Sequence, residues 1–511
     1  MMLRKLIRIL FNRNTLFILV LLLQIAFLVL TILFLSQNYV WVYAGLLALN
    51  AVLAVYISNT SENPSYKMPW FLLMLIFPLY AGLAYLLIKT DAGHRAFKRN
   101  YARRVDETKK YLIQKKQILH QMEEKNSVNA HLAEYLSNYG GYPVYRNYAS
   151  EYFPLGEQMF AKMKEEIQKA KRYIFLEFFI IDKGIMWEEL LELLKKKASQ
   201  GVDIRIMYDG FGTQFIMPMQ YFRKLEQYGI QCRVFNSFKP FLTSSQNNRD
   251  HRKILVIDGH TAFTGGINIA DEYINQKVRF GHWKDGGVMC KGESAWSFTV
   301  MFLQLWHLEE TDKGELEKYR PAEPFPANYD GYVQPYSDSP TDGEYVGRNV
   351  YLDIINNAQK YVFIMTPYLV LDHELVTALG LASKKGVDVR LMMPHIPDKW
   401  YVYSIAWSYY QELLDEHVRI YEYLPGFVHA KNFSSDDRIA VSGTINMDYR
   451  SLYLHFECAS VFYQSRTVTE IRDDFIQSLE KCVEITSEDC RNRPLLKRIV
   501  SSILRLFAPL M

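Results

Sequence analysis

Apolar positions crowd the start of the chain and thin into shorter, regularly spaced runs thereafter. Residues 15–36 read TLFILVLLLQIAFLVLTILFLS without a charge, longer than the roughly 20 residues that cross a bilayer core. A transmembrane helix is predicted there. Apolar runs at 40–58 and 69–88, separated by the turn-rich NTSENPSYK, extend the predicted N-terminal transmembrane helices across 1–90. The competing reading of the first run is a secretory signal peptide, but its apolar region is too long and no small-residue cleavage site precedes the next run.

Further along, the pattern changes to strand and helix lengths, and it repeats. KRYIFLEFFIID and LLKKKASQGVDIRIMYD, within 171–209, are echoed by QKYVFIMTPYLVLD and LASKKGVDVRLMMP, within 359–394. Each stretch reads as an apolar strand, a helix, and a G-V-D turn into a second strand, the order of an α/β unit with right-handed crossovers. QCRVFN at Gln231 and HVRIYEY at His417 continue the parallel as short third strands. The predicted fold class is therefore α/β, with two homologous lobes at 135–312 and 332–488. A basic linker and connecting helix at 91–134 precede them, and a Pro- and Gly-containing linker at 313–331 separates them.

In the segment 489–511, Leu495, Ile499, Ile503, Leu504 and Phe507 recur near helical spacing, with Lys497, Arg498 and Arg505 elsewhere around the turn. This basic amphipathic helix fits two roles equally: contact with anionic lipid, or packing on the globular part.

Charge orients the picture. Arg4, Lys5, Arg8 and Arg13 precede the first apolar run, and Arg95, Lys98, Arg99, Arg103, Arg104, Lys109 and Lys110 follow the third. Both flanks read as cytoplasmic, yet three full crossings would part them. Pro78 makes a kinked or re-entrant third segment plausible, and residues 1–11 a surface helix. The larger cluster places the lobes in the cytoplasm, so the expectation is a multi-pass cell-membrane protein. Over 511 residues the net charge is only +4, which argues neither for nor against a polyanionic partner. Cys232, Cys290, Cys458, Cys482 and Cys490 are scattered without a C-x-x-C pair, and none of the 12 histidines joins them in a zinc-ligand pattern. No disulfide framework, metal or cofactor is expected.

The candidate chemistry lies in a duplicated motif. DHRKILVIDGHTAFTGGIN carries His251, Lys253, Asp258 and Asn268; VHAKNFSSDDRIAVSGTIN carries His429, Lys431, Asp436 and Asn446. Alternate residues of a strand share a face, so each His sits beside a fixed cation. The small residues before each Asn would let a phosphate approach the backbone. One H-x-K occurs by chance and is usually structural; two copies at matching places in homologous lobes are not readily explained that way. Imidazole titrates near neutral pH, so one ring can be a nucleophile while the other is an acid. Lys253, Lys431, Asn268 and Asn446 would stabilise phosphoryl oxygens.

With these motifs, together with N-N-R-D-H-R-K before the first, H-W-K-D at His282, T-P-Y at Thr366 and N-M-D-Y-R-S ahead of Glu457, the chain resembles the phospholipase D superfamily and, within it, bacterial cardiolipin synthases. The resemblance implies mixed sheets flanked by helices, two lobes sharing one active site, and a phosphohistidine intermediate. It gives His251 the nucleophile's role and His429 the acid/base role, an order that spacing alone leaves open. By family position Asp285 and Glu457 orient the histidines, each from downstream of a motif; Asp258 and Asp436, at strand ends, are expected to be structural or to join the lobes. Two departures stand out: the polar N-F-S-S after Lys431, and His455 where the family usually has Asn. The implied function is transfer of a phosphatidyl group between two phosphatidylglycerols, with phosphatidylglycerol, other anionic phospholipids and the membrane as partners. The alternatives are a phospholipase D-type hydrolase, a head-group exchange enzyme and a non-catalytic lipid-binding protein. A nuclease is disfavoured, because the basic stretches hug the apolar segments and no nucleic-acid module is visible.

Overall fold

The computed structural model describes residues 39–60, 63–77, 81–89, 92–214, 216–218, 221–237, 244–308, 316–321, 325 and 328–510. The apolar run at 15–36, the surface helix considered for 1–11, and Pro78 lie outside these. The chain divides into two compact units, residues 1–92 with 239–244, and 93–238 with 245–509.

In the first unit the described helices are Tyr39–Ser58, Pro64–Ile76 and Ala81–Lys89. They pack around Leu53, Ile57, Met74, Ala81 and Tyr85. Asn63 begins the second helix by accepting a hydrogen bond from the Ser65 N–H at 2.9 Å, the usual work of an N-cap Asn. The described residues do not support the expected N-terminal transmembrane helices: among them no helix is long and apolar enough to cross a membrane. The run at 69–88 is broken into parts of helices of 13 and 9 residues, each short of the roughly 20 that span a bilayer. The helix Tyr39–Ser58 carries Asn50 near its midpoint.

The second unit holds both lobes. Its first half contributes β1 (Tyr145–Arg146), β2 (Ala149–Phe153), β3 (Tyr173–Phe178), β4 (Asp203–Asp209), β5 (Gln231–Phe235), β6 (Ile254–Ile257), β7 (Thr261–Gly265), β8 (His282–Lys284) and β9 (Gly287–Lys291). The second half contributes β10 (Tyr332–Asp338), β11 (Tyr361–Met365), β12 (Asp388–Pro394), β13 (Arg419–Tyr423), β14 (Gly426–Val428), β15 (Asn432–Ser435), β16 (Ile439–Gly443), β17 (Glu457–Tyr463) and β18 (Cys482–Ile485). Among the described residues one sheet runs β2-β9-β7-β6-β3-β4-β5 and the other β1-β10-β17-β16-β15-β11-β12-β13-β18. In each, three parallel strands joined by helical crossovers meet three antiparallel ones, β3-β4-β5 with β6-β7-β9 and β11-β12-β13 with β15-β16-β17. The internal repeat is thus one topology built twice. The sheets meet over a shared core in which Val288 and Cys290 of β9 join Ala440 of β16 and Phe462 of β17.

Two boundaries differ from the sequence reading. β1, placed by sequence in the first lobe, pairs with β10 in the second lobe's sheet, Tyr145 opposite Val333. The stretch read as a basic linker and connecting helix holds, among its described residues, the helices Ala92–Thr108, Lys116–Lys125 and Ser127–Tyr135, packed on the lobes. Tyr101 meets the Phe456 ring edge-on at 5.0 Å, and the Gln304 amide donates to the Thr108 hydroxyl at 2.7 Å.

The polar N-F-S-S is a fully buried central strand, β15, hydrogen-bonded on both sides by β11 and β16. Phe433 stacks on Tyr351 at 3.8 Å, and the Asn432 amide donates to the Tyr152 hydroxyl at 2.9 Å. The strand's polar groups are largely absorbed by neighbours.

Asp258 and Asp436 follow β6 and β15 with left-handed backbone, φ 52° and 55°, a conformation Asp tolerates. The Asp258 carboxylate accepts the N–H groups of Lys171, Arg172 and Tyr173, each at 2.8 Å. Asp436 accepts those of Gln359, Lys360 and Tyr361 at 2.7–2.9 Å, and the Arg438 guanidinium at 2.5 Å. Each aspartate therefore ties the start of one central strand to the end of the strand that follows the His and Lys, and it does so within its own lobe. Asp258→Ala would leave three backbone N–H groups without their acceptor, that of Tyr173 buried, and a loss of about 1–3 kcal/mol of stability is expected; a lowered thermal midpoint in the purified variant checks it.

Candidate active site

His251 and Lys253 leave the segment entering β6, and His429 and Lys431 leave the segment between β14 and β15. Each segment is anchored to the opposite lobe. Asp250 forms a parallel bridge with Phe456, and the His251 N–H donates to the Phe456 carbonyl at 2.9 Å. β14 pairs in parallel with β8, and the His429 N–H donates to the Lys284 carbonyl at 2.8 Å. The residue after Phe456 is Glu457, and the residue after Lys284 is Asp285.

The side chains follow the backbone. His251 Nδ1 lies 2.8 Å and 3.0 Å from the Glu457 carboxyl oxygens. His429 Nδ1 lies 2.6 Å from Asp285 Oδ2. Sequence reasoning named both acids and set each downstream of its own motif; the structure exchanges them, so each histidine is oriented by the other lobe's acid. Because Nδ1 is taken by the acid, Nε2 is the ring atom left for chemistry. Both acids are fully buried, and the imidazoles are 8–10% exposed.

Aromatic rings fix the imidazoles further. Phe179 meets His251 edge-on at 5.1 Å. Tyr273, Trp283 and Phe427 surround His429 at 5.4, 5.4 and 5.7 Å. Thr444 donates its hydroxyl to Glu457, giving the carboxyl a second fixed partner. Beneath His251, the buried Arg252 guanidinium pairs with Glu177 at 2.6 Å and Asp250 at 3.4 Å. Phe179, Tyr273 and the Glu177–Arg252 pair carried no motif signal, because only the fold brings them to the histidines.

Lys253 and Lys431 are almost wholly buried. The Lys253 ammonium donates to the His251 carbonyl at 2.6 Å; that of Lys431 donates to the His429 carbonyl and lies 2.9 Å from His429 Nδ1. Burial pushes Lys253 down to about 8 and Lys431 down to about 7, against the pull of Glu457 and Asp285. Burial, then Lys253, His455, Lys431 and His429, hold the His251 imidazolium well below the usual range. Burial and Lys431 bring His429 down to about 4, outweighing Asp285. The carboxyls diverge. Burial lifts Glu457 well above the carboxylate range despite Lys253. For Asp285 burial also pushes upward, but His429 and Lys431 outweigh it and keep the group low. Two lysines, two histidines and two carboxyls from two lobes therefore share one electrostatic field, short of negative charge, and a phosphodiester anion would supply it.

Asn268 accepts the Ile180 N–H at 3.0 Å and donates to the Tyr273 hydroxyl at 2.7 Å, which leaves one amide hydrogen for a ligand. Asn446 lies buried at the matching place with no hydrogen bond to its Oδ1. His455 has its ring centre 5.5 Å from that of His251, its Nδ1 3.8 Å from Glu457, and no hydrogen bond to either ring nitrogen. His251, His455 and Glu457 are, among the described residues, the one group whose ligand atoms are close enough to hold a metal ion, all within 4.8 Å. A cation there would displace the His251–Glu457 proton and meet repulsion from Lys253.

Two outcomes follow. An ammonium is charged below its pKa, so affinity for dimethyl phosphate should fall as pH rises through about 7 and then about 8, where Lys431 and then Lys253 lose their charge. Lys431→Arg, charged throughout, should move that limb to higher pH, read as Kd against pH. Glu457→Gln should cut turnover at least about a hundredfold with the circular dichroism spectrum unchanged.

Comparison with known proteins places the chain in a family. The family described as cardiolipin synthase, PLD-like domain, matches residues 163–279 and 351–479. An uncharacterized protein of Streptococcus mutans is 44% identical over 457 residues, 89% of this chain and 99% of that one. A cardiolipin synthase of Alkalihalophilus pseudofirmus is 31% identical over 455 residues, 88% of this chain and 90% of that one. The crystal structure of phosphatidylserine synthase from Haemophilus influenzae shares the fold, with a TM-score of 0.56 at 16% identity, covering 75% of this chain and 98% of that one. The chain belongs to the cardiolipin synthase family, phosphatidyltransferases of the phospholipase D superfamily.

Proposed function

We propose that the protein makes cardiolipin from two phosphatidylglycerols, releasing glycerol, with the phosphatidyl group held in between on His251. The reading is carried by the crossed histidine–carboxylate pairs, which leave two imidazole Nε2 atoms in one field with two lysines. It is supported by the cardiolipin synthases among its relatives.

In the first half-reaction His251 Nε2 attacks phosphorus, and the bond from phosphorus to the glycerol head-group oxygen breaks. His429, protonated once the phosphodiester's charge offsets Lys253 and Lys431, passes its proton to that oxygen and glycerol leaves. In the second, neutral His429 takes the proton from a hydroxyl of the next phosphatidylglycerol. The alkoxide oxygen bonds phosphorus, the P–N bond breaks, and cardiolipin is released. Lys253 and Lys431, with the amide N–H groups of Asn268 and Asn446, stabilise the equatorial oxygens throughout. Both substrates reside in the bilayer, so the work is done at a membrane surface where lipid alcohol competes well with water.

Incubation with phosphatidylglycerol vesicles should yield cardiolipin and glycerol in equal amounts; phosphatidic acid without cardiolipin would make the enzyme a hydrolase. His251→Ala should abolish an acid-labile phosphoryl label on the protein, and His429→Ala should slow turnover by about a hundredfold or more.

A further inference from the structure

The helix Leu495–Phe507 lies on the second unit with its faces inverted. Leu495, Leu496, Ile499, Ile503 and Leu506 are 69, 72, 47, 52 and 52% exposed. At 3.6 residues per turn these five fall within an arc of roughly 100°. Ser501, on the opposite side of the helix, is buried. The polar side does the packing: Arg505 stacks on Tyr409 at 3.9 Å and donates to the Ser408 carbonyl at 2.9 Å and to Glu412 at 2.6 Å. Arg493, just before the helix, donates to the Ser501 hydroxyl at 3.0 Å and lies over the Trp407 ring at 4.8 Å. A helix whose purpose was to close the core would turn its leucines and isoleucines inward; this one leaves all of them but the half-buried Leu504 exposed.

The charges around the stripe say what covers it. No acid occurs between Leu495 and Phe507. On a helical projection Arg498 lies about 60° beyond one edge of the stripe, and Lys497 lies past the half-buried Val500, Leu504 and Phe507 on the other side, both cations exposed. An apolar arc bordered by cations suits the interface of an anionic bilayer, with the leucines and isoleucines among the upper acyl chains and the cations at the lipid phosphates. A strip about 20 Å long and one side chain wide is small beside the ~800 Å² per partner of a standard protein interface.

We propose that Leu495–Phe507 is a surface anchor, lying in the plane of an anionic phospholipid bilayer and docking the second lobe on it. The proposal rests on the lipid-substrate reading only for the kind of surface the enzyme meets. In binding, no bond is made or broken; apolar area leaves water and lysine and arginine meet phosphate.

The test uses the full chain, reconstituted into vesicles, with Cys482→Ser and Cys490→Ser to remove the half-exposed thiols. An environment-sensitive fluorophore is attached at Ile499→Cys, or at Glu192→Cys on the exposed side of the helix Ile185–Ser199 as control. In phosphatidylcholine vesicles containing phosphatidylglycerol, the Ile499 label should shift to the blue and be quenched several-fold by brominated acyl chains, more than in phosphatidylcholine alone, while the Glu192 label stays water-like. Absence of bromine quenching at Ile499 overturns the proposal, whether emission is water-like or blue-shifted, since a blue unquenched label is covered by protein: a second copy or another part of this chain. An activity arm separates this from the reaction itself. Ile499→Ser with Ile503→Ser should lower turnover on vesicles about tenfold and leave it unchanged on monomeric short-chain phosphatidylglycerol; equal loss on both substrates counts against an anchor. If the wild-type protein makes no cardiolipin from either substrate while the label is quenched, the substrate reading fails and the anchor stands.

Discussion

Everything in the catalytic unit is arranged around two hydrogen bonds that cross between the lobes, His251 to Glu457 and His429 to Asp285. Each joins groups buried deeply enough that neither partner is tolerable alone, since an unpaired buried acid or imidazole loses its hydration without recompense. The backbone bridges beside them, Asp250 to Phe456 and β14 to β8, set the register at which the pairs form. The sheet-to-sheet core of Val288, Cys290, Ala440 and Phe462 then holds that register. Chemistry and architecture therefore depend on the same contact.

That contact also explains the asymmetry between the two acids. Glu457 and Asp285 occupy matching places, yet burial lifts the one while His429 and Lys431 hold the other down. Both lysines reach the carbonyl of their own histidine, but Lys431 also approaches the His429 ring nitrogen. The two halves of the repeat thus differ in electrostatics through a small shift in where an ammonium rests.

Much of this was legible in the sequence, for local reasons. Strand alternation puts His251 with Lys253 and His429 with Lys431, and the echo of 171–209 in 359–394 announces the repeated topology. The exchange of acids was not legible, because the pairs join residues 206 and 144 positions apart and each motif has an acid downstream in its own lobe. The placement of β1 in the far sheet was hidden for the same reason. The polar N-F-S-S looked like a weak strand, since a one-dimensional pattern does not show Tyr152 and Tyr351 arriving from elsewhere to pack against it. Hydropathy likewise overreached at 69–88, where apolar composition does not amount to one continuous helix.

The crossing of the pairs carries a consequence for how the chain is inherited and made. A lobe cut from its twin exposes a histidine with no carboxylate and a buried carboxylate with no histidine, along with an unmatched strand at β8 or β14. Such a piece would carry buried polar groups stripped of their partners, a cost that joining the two lobes in one chain avoids. The duplication is thereby tied together: a change at an acid of one lobe reaches the histidine of the other.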